Sequence, residues 1–302
     1  MQKNTNLNTA KRKKNDEFYT QLEDIEKELA CYDVSNFQGK VIYCNCDDYR
    51  FSNFCKCFKD NFEYLGIKKV MATNYDIGDG AYKWEYDGEN ETVTELEGNG
   101  GFETAECIEF LKEADVVVTN PPFSLFRPYV KQLMDYGKKF LILGNNNAIT
   151  YKEIFPYIKN NELWLGYSTN KTMKFQLSDS YEKWDEMDKN GKKYGKVPAI
   201  TWFTNIPHNK RNKPLDLYRK YNPTDYPKYD NYDAINVDKV TDIPEDYDGV
   251  MGVPITFLDK YCTKQFEILG HEHDTDGKGS SVGKFKLNWK CVYKRLLIKK
   301  VS

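Results

Sequence analysis

The sequence predicts an α/β fold: a doubly wound, Rossmann-like parallel sheet with helices on both faces, carrying an insertion. Three observations lead there. Near-continuous apolar strands, KVIYCN (40–45), KKVMATN (68–74), DVVVTN (115–120) and KKFLILGN (138–145), alternate with amphipathic segments. Strands this apolar are buried on both faces, which is the habit of a parallel sheet covered by helices. From 151 to 250 the rhythm breaks into a stretch rich in Tyr, Lys, Asn and Pro, and core-style strands return at QFEILG (265–270) and KRLLIKK (294–300). The domain reading is therefore one α/β domain made of 1–150 and 251–302, interrupted by 151–250 and closed by the last strands.

The elements follow in order. A helix is expected from Thr20, with Glu23 completing a capping box and Leu22, Ile25 and Leu29 as its apolar stripe. After the first strand, Ser52 caps a helix whose Phe54, Phe58, Phe62 and Leu65 share a face and which Gly66 ends. Residues 77–101 are polar and Gly-rich, and their alternation suits a hairpin or short strands. TAECIEFLKEA (104–114) is a helix. SLFRPYVKQLMDYG (124–137) is another, with Pro128 tolerated in its first turn. Within the insertion, ELWLGY, TMKFQL and PAITWFTN read as strands.

Composition bounds the function. The 302 residues carry a formal charge of −2, so the chain is no polycation. The charge is uneven, however: from Tyr151 to Asp230 there are 15 Lys/Arg against 10 Asp/Glu, a net of +5, and the remainder has 29 against 36, a net of −7. That asymmetry suits a face for an anionic partner. The first residues lack an apolar signal core and no run is long enough to span a membrane, so a cytoplasmic protein is expected. The eight cysteines then read as reduced thiols.

The chemistry concentrates in DVVVTNPPF (115–123). Two prolines fix φ and remove two backbone donors where an ordinary strand-to-helix turn would place Gly, Ser or Asp. They hold Asn120 in one orientation beyond a strand end, where open α/β sheets bind ligands. The Asn120 side-chain oxygen and the Pro121 carbonyl are two acceptors for the two hydrogens of a planar exocyclic amine. Phe123, behind Pro122, offers a flat surface for a ring. The fitting ligand is an aromatic amine that must become a nucleophile, such as N6 of adenine.

The NPPF motif resembles the signature of amino-methyltransferases that use S-adenosylmethionine. NDEFYTQLEDIEKEL, VIYCNCDDYRFSNF, VVVTNPPFSLFRPYV, GVPITFLDKYCTKQFEILG and VYKRLLIK are similar to the EcoRI-type adenine-N6 DNA methyltransferase family, over about residue 15 to the end and least between 150 and 250. The resemblance implies a class I S-adenosylmethionine-dependent methyltransferase sheet, site-specific transfer of a methyl group to N6 of a flipped adenine in double-stranded DNA, and a target-recognition role for 151–250. Carried over by position, it implies catalytic roles for Asn120, Pro121, Pro122 and Phe123. It implies cofactor contacts for Phe18, Tyr19 and Thr20, for Asn45, Cys46, Asp47 and Asp48 in the first loop, for Asn74 and Tyr75 after the second strand, and for Phe102. Three departures stand out: the first loop lacks Gly-x-Gly, Asn74 replaces the usual ribose-binding acid, and Gly101 stands where many relatives show an Asp that binds the adenine amine.

DNA phosphates would meet Lys13, Lys14, Lys171, Lys174, Lys210, Arg211 and Lys213. Where the modification serves a restriction system, a cognate endonuclease sharing the site is a further partner. No metal is expected: the spacing of Cys44, Cys46, Cys55 and Cys57 is unlike zinc ligand pairs, and these read as small core residues. Methylation of an RNA base or a glutamine amide uses the same motif, and a catalytically silent DNA-binding relative is the alternative of a different class.

Overall fold

The computed structural model describes residues 18–169, 172–177 and 184–301, and the chain divides into two compact units. The first comprises residues up to Asn146 together with Gly166–His208. Its elements are β1 (Phe18–Thr20), α1 (Leu22–Leu29), β2 (Val41–Asn45), α2 (Asn53–Asp60), α3 (Phe62–Leu65), β3 (Lys69–Thr73), β4 (Tyr82–Tyr86), β5 (Glu91–Glu95), α4 (Ala105–Glu113), β6 (Val116–Thr119), α5 (Phe126–Asp135) and β7 (Lys139–Asn145). The chain then enters the second unit for α6 (Phe155–Lys159) and β8 (Trp164–Leu165), and returns for β9 (Met173–Leu177), β10 (Glu186–Met187), β11 (Lys193–Val197) and β12 (Ile200–Thr204).

Within the first unit the main sheet runs β5-β4-β3-β2-β6-β7-β12. The centre, β3-β2-β6-β7, is parallel, while the β4–β5 hairpin and β12 are antiparallel to their neighbours. The chain runs from β2 outward to β3 on one side and later to β6 on the other, so β2 and β6 flank the switch point where such sheets open a crevice. Alternate residues of every central strand, Ile42 and Cys44, Val70 and Ala72, Val116 and Val118, Leu141 and Leu143, Ile200 and Trp202, enter one buried cluster with Ile25, Phe54 and Phe58 from α1 and α2. The opposite face buries Tyr129 and Phe126 of α5, the latter 5.0 Å from Phe203 of β12. Cys44, Cys55 and Cys57 lie in the first cluster as small core residues.

A second sheet, β1-β9-β11-β10, is fully antiparallel and lends the buried Phe175 to the same cluster. It explains a difference at the first helix. α1 begins at Leu22 after Gln21, with no side-chain cap. Thr20 instead belongs to β1, opposite Phe175, and long-range pairing displaces the expected capping box. The expected helix over 52–66 divides at Asn61, after Ser52 caps α2 as predicted, and Gly66 ends it at φ +61°.

The second unit contains Asn147–Leu165 and Asn209–Ser302. Its sheet runs β13 (Lys228–Tyr229), β14 (Tyr232–Asn236), β15 (Met251–Pro254), β19 (Arg295–Lys300), β16 (Phe266–His271), with a hairpin of β17 (Lys286–Leu287) and β18 (Lys290–Cys291). This corrects the expected closure. The C-terminal strands do not complete the first sheet but pair with one another, and β19 is central between β15 and β16. The place beside β7 is held by β12, whose five residues are all buried. The boundaries at 150 and 250 shift accordingly: 166–208 pack with the first unit, and 251–302 with the second.

Among the described residues no helix is long and apolar enough to cross a membrane, and no group of three or more His, Cys, Asp or Glu is arranged to hold a metal ion.

Candidate active site

A cavity of about 940 Å³ opens in the first unit among the segments that follow β2, β3 and β6. That volume lies within the range of small-molecule sites. Five stretches line it: Tyr19 and Thr20 of β1; Cys46, Asp47 and Asp48 after β2; Asn74 and Tyr75 after β3; Asn99 to Phe102 before α4; and Asn120 and Pro122 after β6. Residues far apart in sequence and chosen as candidates thus share one enclosure.

The loop after β2 turns at once because Cys46 adopts φ +68°, a conformation other residues leave to glycine. The turn sends Asp47 inward. Its N–H donates to the Thr73 carbonyl at 3.1 Å, and its carboxyl is bonded to Ser52 Oγ at 2.7 Å and to Thr119 Oγ1. The N–H of Asn120 also bonds to it. Asp47 thus joins the first loop, the cap of α2 and the base of the NPPF step.

Burial pushes the Asp47 carboxyl up from its ordinary value near 3.8 to about 7, against the hydrogen bonds and helped by the charge of Asp48. Thr119 Oγ1 contacts both the Asn45 carbonyl and the Asp47 carboxyl. Asp48 differs: it forms a bidentate pair with Arg50, 2.6 Å at the closest.

Asn74 lines the cavity, but its amide secures the β3–β4 connection, accepting from Tyr82 N–H at 2.8 Å and donating to the Gly80 carbonyl at 2.9 Å. Gly100, at φ +67°, closes the neighbouring loop so tightly that a Cβ there would lie 1.9 Å from the Asn74 carbonyl oxygen. Phe102 is buried against Tyr129 of α5, edge to face with centroids 4.9 Å apart. Thr20 Oγ1 is buried without a hydrogen-bond partner among the described residues. A buried hydroxyl left so is costly, and a polar ligand atom in the cavity would satisfy it. A zwitterionic nucleoside fits this lining of acid, hydroxyl, amide and aromatic groups.

Other expected positions are not brought to the cavity. Asn45 is fully buried, its side-chain oxygen facing Thr73 Oγ1 and Cys46 Sγ at 3.4 and 3.6 Å. Pro121 is buried, and the half-buried Phe123 packs against the core cluster. Phe18 is the first residue of β1, and its side chain is not among the described ones. Ser52, Asn53, Ile77 and Thr119 were missed as site residues. Ser52 was legible only as a cap and Thr119 only as a strand residue.

Among the DNA candidates, Lys13, Lys14 and Lys171 lie outside the described residues. Lys174 pairs with Glu186 at 2.6 Å and lies over the Tyr194 ring. Lys210 pairs with Asp259. Arg211 stacks 4.6 Å above Trp164 and donates to the Tyr261 carbonyl. Lys213 is exposed.

Comparison with known proteins is consistent with this geometry. The profile of a family described as "Adenine-specific methyltransferase EcoRI" matches residues 6–300. The Type II methyltransferase M.EcoRI of Escherichia coli is 46% identical over 317 positions, covering 97% of this chain and 95% of that protein. The Type II methyltransferase M.MpnI of Mycoplasma pneumoniae is 45% identical over 270 positions, 87% and 84% of the two chains. M.MgeORF184P of Mycoplasma genitalium, named likewise, is 44% identical over 270 positions, 87% and 85%. No solved structure matches significantly.

Proposed function

The chain belongs to the EcoRI family of adenine-specific methyltransferases, and from that premise we propose a class I, S-adenosylmethionine-dependent reaction at N6 of an adenine flipped out of duplex DNA. It is a DNA adenine methyltransferase. The observation that carries the finer reading is the opening of Asn120 and Pro122 onto the same cavity as Thr20, Asp47 and Tyr75. The parallel order β3-β2-β6-β7 with antiparallel β12 beyond it supports the class I assignment.

When bound, S-adenosylmethionine supplies an electrophilic sulfonium methyl group. In this reading Thr20, Asp47 and Asn53 hold its methionine end, with Asp47 facing the ammonium. Tyr75, Ile77 and Phe102 enclose the adenosyl end. The Asn120 side-chain oxygen and the Pro121 carbonyl accept the two N6 hydrogens, draw the nitrogen toward tetrahedral geometry and localise its lone pair. Phe123 packs against the core cluster, so it would stack on the flipped base, offsetting the few kcal/mol that unstacking costs, only by turning from that cluster toward the cavity. The methylated nitrogen becomes acidic as its new bond forms, so no general base is needed there. Asp47 acts by positioning, through Thr119 and the Asn120 backbone.

Lys13, Lys14, Lys171, Lys174 and Lys213 are proposed to meet DNA phosphates. Lys210 and Arg211 could join them only by leaving Asp259 and Trp164. We place the reaction in a restriction-modification setting with a cognate endonuclease, as the Type II naming of the relatives supports.

The test is to incubate the purified protein with S-adenosylmethionine and unmethylated plasmid, then sequence the DNA natively. N6-methyladenine in one recurring motif is expected. Asn120→Ala should abolish it while cofactor binding persists. Normal turnover by that variant would overturn the role of Asn120.

A further inference from the structure

The hairpin of β17 and β18 carries an aromatic side chain where hairpins favour none. A two-residue turn of this kind needs positive φ at both central positions, for which Asn-Gly is the usual pair. Here the pair is Asn288 and Trp289, at φ +49° and +61°. Asparagine tolerates that region, but a bulky residue rarely enters it. Trp289 is held there, its N–H donating to the Asp230 carboxylate at 2.6 Å, yet its side chain is 76% exposed. Packing does not explain the tryptophan, and glycine would form the same turn without strain.

The hairpin is anchored below its tip. Phe285 is fully buried and stacks on Tyr229 with centroids 4.8 Å apart. Lys286 N–H donates to Asn231 Oδ1 at 3.0 Å, and Asp230 N–H to the Lys286 carbonyl at 2.9 Å. A rigid stem thus presents an indole to solvent. Charge accompanies it. KFKLNWKCVYK (284–294) holds four lysines and no acid. Among the described residues Lys284, Lys286 and Lys290 form no ion pair, and Lys294 bonds only neutral oxygens at Asn147 and Thr150. Lys286 lies 5.9 Å from the Trp289 ring centroid, and Tyr293 is 71% exposed beside them.

We infer that this hairpin is a DNA-contacting element in which Lys284, Lys286, Lys290 and Lys294 meet backbone phosphates and the Trp289 indole stacks on a base or enters a base step. The inference rests on the reading of duplex DNA as substrate and adds an element of the second unit to it. Lysines with no ion pair among the described residues, set around an exposed aromatic ring, match a polyanion with flat faces. Aromatic and apolar wedges in other proteins unstack base steps in this way.

The experiment uses the full chain and a duplex containing the methylated motif. Trp289→Gly is the informative variant, since glycine relieves the turn and preserves the fold. Trp289→Phe keeps an aromatic ring. Affinity is read by fluorescence anisotropy, with cofactor binding measured by calorimetry as a control. Trp289→Gly should weaken duplex binding tenfold or more with cofactor affinity unchanged, and Trp289→Phe should restore most of the loss. The Lys286→Gln/Lys290→Gln pair should lower the slope of log affinity against log salt by about 2. Wild-type affinity in Trp289→Gly together with an unchanged slope in the lysine pair would remove the hairpin from the interface and leave the methyltransferase reading standing. Failure of the wild type itself to bind duplex would overturn both.

Discussion

Replacing Asp47 by Asn separates what that side chain does for folding from what it does for the cofactor. The carboxyl is held at about 7 in the folded chain against an ordinary value near 3.8, chiefly by burial. A folded value above the unfolded one means that the folded state keeps its proton longer. Stability is then greatest below about pH 4 and falls as pH rises to about 7. Three units at about 1.36 kcal/mol each set the full loss at about 4 kcal/mol. Asparagine mimics the protonated acid: its oxygen can accept from Ser52 Oγ and its amide can donate to Thr119 Oγ1, two of the three partners of Asp47. Without the ligand, Asp47→Asn should therefore be more stable than the wild type by up to about 4 kcal/mol at pH 8, and by less than half of that at pH 5. Its affinity for S-adenosylmethionine should fall at least tenfold, since an amide cannot face an ammonium as a carboxylate does. Urea unfolding at several pH values and calorimetric titration read the two effects. A stability difference that does not change with pH, or an unchanged cofactor affinity, would refute the reasoning.

Three further perturbations follow from the same geometry. Gly100→Ala sets a Cβ against the Asn74 carbonyl at positive φ and should cost about 1–3 kcal/mol and most of the cofactor affinity; a variant that binds and melts like the wild type shows the loop to be compliant. Ser52→Ala removes an oxygen that accepts from Phe54 N–H and Cys55 N–H and donates to Asp47, so urea melts should show a loss of about 1–2 kcal/mol. His271 is pushed down from 6.5 to about 4 by burial, with Lys294 and His273 in the same direction and Asp274 opposing. Its folded value lies below the unfolded one, so stability falls as pH drops from about 6.5 toward 4, by about 3 kcal/mol in full. His271→Gln should flatten that part of the acid unfolding curve, and parallel curves would show that this side chain does not set it.

How far the sequence could be read depended on the range of the interaction that decides each feature. β2, β3, β6 and β7 are legible because a strand buried on both faces must be apolar throughout, and Ser52 and Gly66 because caps act within one turn. Asn120 was legible for the same reason, since prolines restrict their immediate neighbours. Sheet membership is decided at longer range. An apolar run such as RLLIKK states that it will be buried, not whether β7 or β15 will lie beside it, and β12 takes the place expected for the last strands. Thr20 shows local and distant signals in conflict: Thr-x-x-Glu specifies a cap, but pairing with Phe175 uses Thr20 in a strand and leaves its hydroxyl to the cavity.

The two acids after β2 are the sharpest case. Asp47 and Asp48 are the same chemistry one position apart, and the positive φ of Cys46 sends one toward Thr119 and Ser52 while the other closes on Arg50. Only the inward one meets the NPPF step, and the same burial that costs the empty protein stability raises its proton affinity and keeps it in place. A cationic ligand group would reverse that cost by favouring the carboxylate. Cofactor binding should then release a proton from Asp47 near neutral pH. Calorimetry in buffers of different ionisation enthalpy should show this release in the wild type and its absence in Asp47→Asn; equal proton release in both would place the ammonium against some other group.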